Sequence, residues 1–245
     1  MSRFYYDLHI HSCLSPCGDN ESTPDSIAGM GELNGLNIMA ITDHNSCKNA
    51  PSFFAAAERH NIVAVAGMEL TTAEDIHMVC LFETLKDALK FDEMLETRKI
   101  FYKNKSEIFG NQFICDENDE VVSEEQNLLI NATTVSFDEA PNLVKEYNGV
   151  CYPAHIDRES NGVIAILGAF PSYPQFKFAE LHNGELLNHY SELTGIKKEN
   201  FLVSSDAHYL WDIKERADYI ELNLSQDASS DEVRKELFRF LRGAK

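Results

Sequence analysis

The sequence predicts an α/β protein with a mostly parallel sheet or barrel, and three observations support this prediction. Short apolar runs of strand length alternate with helical segments, which is the pattern of consecutive βαβ units. Some of these runs are apolar throughout, as in a strand that is covered on both faces. The length of 245 residues suits one domain that buries a substantial core.

Local signals place the elements in order along the chain. Thr23 and Pro24 have the residue types of a helix N-cap and first helical position, and Gly35 is typical of a helix end. A C-terminal helix is capped by Ser229 or Ser230 and packs apolar residues at four-residue spacing. The strand-like runs are residues 4–8, 38–42, 62–66, 76–82, 150–155, 178–182, 201–208 and 217–222, and a helix is predicted at 51–59.

Residues 84–147 break the alternation of strands and helices. Their pattern predicts a helix at about 85–102, a hairpin-like run around 113–122 with an acid-rich turn, and a helix at 137–147. We interpret the chain as a single domain over residues 1–245 with an insertion at about 84–147. Two interpretations of this insertion are equally favoured: a lid over the functional site, or a solvent-exposed structural addition without a role in function.

The composition restricts the partners and the cellular location that we expect. The net charge is −19, with 40 acidic against 21 basic residues. Such a surface repels phosphate backbones, so we expect no extended nucleic-acid binding. The six cysteines show no C-x-x-C spacing and predict reduced thiols. Because no apolar run has the length of a membrane span or a signal-peptide core, we expect a cytoplasmic protein without membrane contact; the oligomeric state is open.

Residues able to bind a metal stand at the ends of the strand-like runs. His9 and His11 lie on the same face of a strand, because side chains alternate between faces, and form half of a metal site. In a β/α barrel the carboxyl ends of the parallel strands meet on one face, so these residues are expected to converge. They are His9, His11, Asp43, His44, Glu69, His77, His155, Asp206 and His208, with Asp19 in the first loop.

Five short motifs resemble those of the PHP (polymerase and histidinol phosphatase) superfamily. They are His9-x-His11-Ser12, Thr42-Asp43-His44-Asn45, Gly67-Met68-Glu69-Leu70, Pro153-Ala154-His155 and Ser205-Asp206-Ala207-His208. They follow the order of the family over most of the chain, outside 84–147. The resemblance implies a distorted seven-stranded (β/α)7 barrel with an inserted segment. It also implies phosphoester hydrolysis with up to three metal ions, and we expect a free-standing enzyme.

The resemblance also implies a role for each ligand residue. His9, His11, Glu69 and Asp206 are similar to the ligands of a first metal, and Glu69 bridges to a second metal with His77 and His155. Asp19, His44 and His208 are similar to the ligands of a third metal, and Cys17 is the alternative to Asp19. Asp43 is expected to orient His44. Glu69, Asp206 and His208 are the catalytic candidates.

Mixed imidazole and carboxylate ligands suit two or three Mn, Fe or Zn ions. Clustered ions roughly 3.5–4 Å apart activate water as hydroxide and neutralise phosphoryl oxygens. The main hypothesis is hydrolysis of small phosphate monoesters, with histidinol-phosphatase-like activity implied by resemblance only. The alternatives are a phosphodiesterase or exonuclease on nucleotides or short nucleic acid, and a metal-bound regulatory module without catalysis.

Two further side chains are candidates for binding the substrate phosphate. Arg158, three residues after His155, offers a forked guanidinium that suits phosphate, although a surface ion pair fits equally well. His182 stands at another strand end. Tyr209 and Trp211 follow the last motif, and core packing is favoured for them over a role in the pocket wall.

Overall fold

A curled, mixed β-sheet forms the centre of the fold in the computed structural model, which describes residues 1–243. The strands are β1 (Ser2–Ile10), β2 (Ile38–Ile41), β3 (Val63–Thr71), β4 (His77–Phe82), β5 (Phe113–Cys115), β6 (Val121–Glu124), β7 (Gly149–Pro153), β8 (Ala179–Leu181), β9 (Phe201–Val203) and β10 (Tyr219–Leu222). The helices are α1 (Pro24–Leu33), α2 (Ala50–Arg59), α3 (Leu85–Leu95), α4 (Ser106–Phe109), α5 (Ala140–Glu146), α6 (Val163–Leu167), α7 (Leu187–Thr194) and α8 (Ser230–Leu241).

The main sheet has the order β10-β1-β2-β3-β4-β7. Strands β1, β2 and β3 are parallel, whereas β10 is antiparallel to β1 and β4 is antiparallel to both β3 and β7. A parallel pair, β8 and β9, continues the curve, and the bridge between Ile10 and Ala207 connects the end of this pair to β1. The predicted α/β class is confirmed, but the sheet is mixed rather than mostly parallel. The count of seven βα units stays a prediction.

The antiparallel direction of β4 follows from the short connection before it. Only residues 72–76 separate β3 from β4, with Asp75 in a left-handed conformation at φ 64°. A crossover to a parallel strand needs a dozen or more residues, so this connection forms a hairpin. Thr71 therefore pairs with His77, which places the first residue of β4 at the edge where β3 ends.

Both faces of the central strands are covered, as their apolar sequences predicted. In β2, Met39 and Ile41 pack in a cluster with α2 residues such as Phe53, whereas Ile38 and Ala40 pack on the other face. That second cluster includes Leu237 of α8. Within residues 1–243, no helix has both the length and the apolar character needed to cross a membrane.

The segment 84–147 packs against the loop after β1. Its first helix ends at Leu95, earlier than predicted, whereas the predicted hairpin is present as β5 and β6 around the acid-rich turn. Phe113 donates its backbone N–H to the carbonyl of Cys13 at 2.8 Å. Asp119 accepts the backbone N–H of Asp25 at 2.9 Å, and this carboxylate caps α1 in place of the Thr23 side chain.

The cap of α8 generates a prediction about stability. The Ser229 hydroxyl accepts the backbone N–H of Glu232, and the Glu232 carboxylate accepts the backbone N–H of Ser229. We expect Ser229→Ala to lower the free energy of unfolding by about 1 kcal/mol, because helix N–H groups lose their partners. Urea unfolding followed by circular dichroism measures the change. Ser230→Ala is the matched control, and an equal loss in both variants would contradict the assignment of the cap.

Candidate metal centre

The alternation of β1 brings His9 and His11 to the same buried site. Their rings lie 5.2 Å apart and face the carboxylates of Glu69 and Asp206. Nε2 of His9 lies 3.4 Å from an oxygen of each carboxylate. Nε2 of His11 lies 3.0 Å from Asp206 and 3.3 Å from Glu69. All four side chains are buried and their ligand atoms lie within 4.8 Å of one another, so they form one candidate metal site.

Glu69 is the centre of a larger cluster. Its Oε1 lies 2.8 Å from Nδ1 of His77 and 2.9 Å from Nε2 of His155, while its Oε2 lies 3.0 Å from Nδ1 of His44. The ring of His208 lies 4.4 Å from that of His11. Two more groups have ligand spacing, His44-Glu69-His77 and His11-His44-His208. We name the Glu69 cluster by its members: His9, His11, His44, Glu69, His77, His155, Asp206 and His208.

Strand ends from across the sheet deliver these side chains. Glu69 lies on the part of β3 that extends past β2, where its backbone N–H is 3.1 Å from the carbonyls of Thr42 and Asp43. His77 differs from the prediction, since it begins its strand instead of ending one, and the antiparallel direction of β4 brings it to the same edge.

The carboxylates of the cluster control its charge. Burial alone would raise the pKa of Glu69, but the charges of His77, His9 and His44 outweigh burial and hold that pKa well below its usual range. Burial likewise opposes the charged form of His11, but its contacts with Asp206 and Glu69 raise its pKa to about 9. Burial, followed by the charge of His11, lowers the pKa of His208 to about 4. The centre of the cluster therefore attracts positive charge.

The arrangement of nitrogen lone pairs fits divalent metal ions. Nδ1 of His9 donates to Glu180 at 2.8 Å, so Nε2, which faces Glu69 and Asp206, is the nitrogen through which this ring can bind a metal ion. This Nε2 and Nδ1 of His44 are buried and find no hydrogen-bond partner among residues 1–243. A lone pair that faces carboxylates is unfavourable unless a cation lies between them. The donor set of imidazole and carboxylate suits Mn, Fe or Zn.

Two supporting groups were missed from the sequence. Glu180 on β8 is buried, accepts from His9, and also accepts the backbone N–H of His155 at 3.1 Å. Ser15 accepts from Nδ1 of His11 at 2.9 Å and donates to Asp43 at 2.7 Å. Such contacts fix the tautomer and the ring orientation of ligands. The only signal in the sequence was a carboxylate inside the apolar run 178–181, since a buried Glu needs a partner.

Two members of the cluster have unusual backbone conformations. His155 has φ 26° and Asp206 has φ 51°, a region that non-glycine residues seldom adopt. The carbonyl of His155 accepts the backbone N–H of Arg158 at 2.9 Å, and its N–H is held by Glu180. Left-handed residues of this kind concentrate at functional sites, where surrounding contacts hold them.

The other predicted site residues lie around the cluster. Asp19 is half-buried in the first loop, where its carboxylate accepts the backbone N–H of Glu21 at 2.8 Å and its own N–H donates to the His208 carbonyl. The three groups with ligand spacing do not include Asp19 or the exposed Cys17. The Asp43 carboxylate accepts hydrogen bonds from the hydroxyls of Ser12 and Ser15. Because Ser15 also bonds to Nδ1 of His11, it links Asp43 to the His11 ring.

Two cavities meet at Arg158. The smaller cavity, about 170 Å³, is lined by His44, Glu69, His77 and His155 among others, and the larger one, about 730 Å³, is lined by His182 and Tyr209 among others. Both cavities contact Arg158, Asp206 and His208. A guanidinium nitrogen of Arg158 pairs with Asp206, and the other lies 3.4 Å from Nδ1 of His182. The predicted phosphate-binding pair therefore stands beside the Glu69 cluster.

A family model described as the PHP domain matches residues 7–223 of this chain. The match covers most of the sequence, so the chain belongs to the PHP domain family, as its motifs predicted. The chain is 32% identical over 77 residues to an error-prone DNA polymerase of Symbiobacterium thermophilum, a stretch that is 31% of this chain and 7% of the polymerase.

Solved structures share the fold at low sequence identity. The lesion-specific endonuclease PfuEndoQ of Pyrococcus furiosus gives a TM-score of 0.61 at 18% identity, over 100% of this chain and 57% of that chain. A candidate metal-dependent phosphoesterase of Bifidobacterium adolescentis gives 0.56 at 18% identity, over 96% of each chain. This chain thus spans little more than half of the endonuclease.

The comparisons correct one expectation. A structure of Endonuclease Q in complex with a 27-mer duplex, with an abasic lesion at the active site, gives a TM-score of 0.62 at 16% identity, over 100% of this chain and 57% of that chain. The expectation of a small phosphorylated partner and no extended nucleic acid is therefore wrong. The argument against nucleic acid rested on net charge, which sums the whole surface, whereas the charge that a phosphate meets is local.

The position of Glu180 leads to a prediction about metal affinity. Glu180→Gln keeps the size of the side chain but removes the negative charge that orients His9. We expect a 10- to 100-fold weaker affinity for Mn²⁺ with the fold retained, because such supporting groups tune ligand basicity. Isothermal titration calorimetry measures the affinity, and the exposed Glu185→Gln is the control. Equal affinities in all three proteins would refute this role for Glu180.

Proposed function

We propose that this protein is a metal-dependent phosphodiesterase that hydrolyses phosphodiester bonds in nucleic acid. The observation that carries the proposal is the Glu69 cluster, a buried set of imidazole and carboxylate side chains beside two cavities that share Arg158, Asp206 and His208 in their lining. Membership of the PHP domain family supports the metal chemistry. The duplex bound by a protein of the same fold supports the substrate class.

Each part of the cluster has a role in holding the metal ions. We assign His9, His11, Glu69 and Asp206 to one ion, and Glu69 with His77 and His155 to a second. We assign His44 and His208 to a third, with His11 or the first-loop residue Asp19 completing its set. When bound, divalent ions supply Lewis acidity that polarises phosphoryl oxygens and lowers the pKa of water.

His208 is suited to metal ligation near neutral pH. Its Nδ1 donates to the carbonyl of Asp206 at 2.8 Å, which leaves Nε2 with a free lone pair. The neutral form is favoured because burial and the charge of His11 lower its pKa to about 4. The side chain is 24% exposed at the shared wall of both cavities, so a substrate reaches it from the larger cavity.

Arg158 binds and orients the phosphodiester in this proposal. Its guanidinium offers more donors than its contact with Asp206 uses, and 34% of the side chain is exposed. Together with bound metal ions it supplies positive charge at a protein whose net charge is −19. The larger cavity of about 730 Å³ leaves room for the groups esterified to the phosphate.

The first test is Mn²⁺-dependent hydrolysis of bis-p-nitrophenyl phosphate and of a DNA oligonucleotide. We expect activity that chelation removes and Mn²⁺ restores, and we expect His9→Ala and Asp206→Ala to reduce turnover to background with the fold retained. Initial rates and circular dichroism measure both properties. His189→Ala, at an exposed histidine on α7, is the matched control and retains activity.

Two results would overturn the proposal. One is wild-type turnover in a folded His9→Ala or Asp206→Ala variant, which would remove the Glu69 cluster from the reaction. The other is a metal-loaded protein that cleaves p-nitrophenyl phosphate much faster than either diester, which would make it a monoesterase.

Arg158 gives a separate prediction about substrate affinity. We expect Arg158→Ala to raise KM for the oligonucleotide about tenfold, since a charged hydrogen bond to phosphate is lost, and Arg158→Lys to recover part of that loss. Steady-state kinetics of the metal-loaded variants measure KM and kcat. Arg59→Ala, at an exposed ion pair with Asp25, is the control. An unchanged KM in Arg158→Ala would show that the guanidinium serves only its ion pair with Asp206.

A further inference from the structure

Two aromatic side chains directly after the last ligand motif are exposed. Trp211 is 73% exposed and Tyr209 is 41% exposed, so the interpretation of these residues as core packing is wrong. Their rings are stacked, with centroids 4.9 Å apart and an interplanar angle of 17°. Both belong to the short segment that follows His208, a member of the Glu69 cluster. Large exposed aromatics beside an active site are costly to leave in water and mark a binding surface.

The larger cavity is lined by groups of both charges. Arg158, which contacts Asp206 of the cluster and His182, is one of them, and Asp212, Glu215 and Asp218 come from the segment that follows Tyr209 in the chain. Lys214 is paired with Asp218 at 3.2 Å and also contacts the Val203 carbonyl, so its charge is already compensated. A phosphate is favoured beside Arg158 and repelled by these carboxylates. Asp212 lies next to Tyr209, since its backbone N–H donates to the Tyr209 carbonyl at 3.0 Å, so the surroundings of Tyr209 suit an uncharged group with N–H donors.

We propose that Tyr209 and Trp211 form a stacking platform for a nucleobase next to the phosphodiester at the Glu69 cluster. This inference rests on the proposed function and adds the part of the substrate that the platform binds. A nucleobase has the required chemistry: a flat aromatic face for the stacked rings and amino or imino N–H groups for the carboxylates. Because Tyr209 lines the cavity that also contacts Arg158, base and phosphate are bound by one continuous surface.

The kinetic test compares two substrates of the metal-loaded enzyme. One is a short DNA oligonucleotide, and the other is a chain of the same length whose sugars carry no bases. We expect Trp211→Ala and Tyr209→Ala to raise KM for the first about tenfold and to leave KM for the second unchanged, because stacking needs a base. Tyr219→Ala is the matched control: Tyr219 is also 41% exposed but pairs with Tyr5, near the opposite end of β1. Equal KM values for wild type and both variants on the first substrate would overturn the platform.

A binding test separates this inference from the proposed hydrolysis. Trp211 is the single tryptophan of the chain, so the tryptophan emission of the metal-loaded protein reports on the platform alone. We expect a short phosphorothioate oligothymidylate, which resists cleavage, to quench this emission, and the base-free phosphorothioate chain to leave it unchanged. Quenching without turnover of any diester would reject the proposed function and retain the platform. Turnover of the oligonucleotide without quenching would reject the platform and retain the proposed function.

Discussion

The buried carboxylate of Glu69 is the constraint on which the rest of the structure depends. A negative charge that is 1% exposed is stable only if positive charge or hydrogen-bond donors surround it. His9, His44, His77 and His155 reach it from four strand ends, and each has to arrive within a few ångströms. The curl of the sheet, the hairpin before β4 and the left-handed turn at His155 together satisfy this requirement.

Much of the candidate site could be predicted from the sequence, because most members of the Glu69 cluster lie at or near the ends of the strand-like runs. The pattern of short motifs identified the family and the members of the Glu69 cluster. The direction of each strand was harder to predict, because an apolar run does not indicate whether its strand is parallel or antiparallel to its neighbours. The short connection 72–76, whose bounds the structure gives, makes β4 turn back, and His77 therefore starts its strand. Glu180 was missed because its role depends on a neighbour 171 residues away in the chain, His9.

The prediction about partners failed for a different reason. The net charge of −19 describes the average surface, whereas recognition depends on the few groups that face the ligand. At this site the acidic residues are candidate ligands of positive ions, and with ions bound the same carboxylates that lower the net charge would create a region that attracts phosphate. Fractional exposure likewise could not be predicted for Trp211, because an aromatic side chain near a strand end fits both a core and a surface.

The pairing of β1 with β10 has a consequence for the newly made chain. The first strand carries His9 and His11, but its neighbour β10 and the co-ligand Asp206 are about two hundred residues further on. At ribosomal rates of about 5–20 residues per second, the early strand waits roughly ten to forty seconds for them. During that time one edge of an apolar strand and half of the candidate metal site are accessible to chaperones and to stray ions. A metal ion that needs both His11 and Asp206 can therefore bind only late in biogenesis, when the sheet closes.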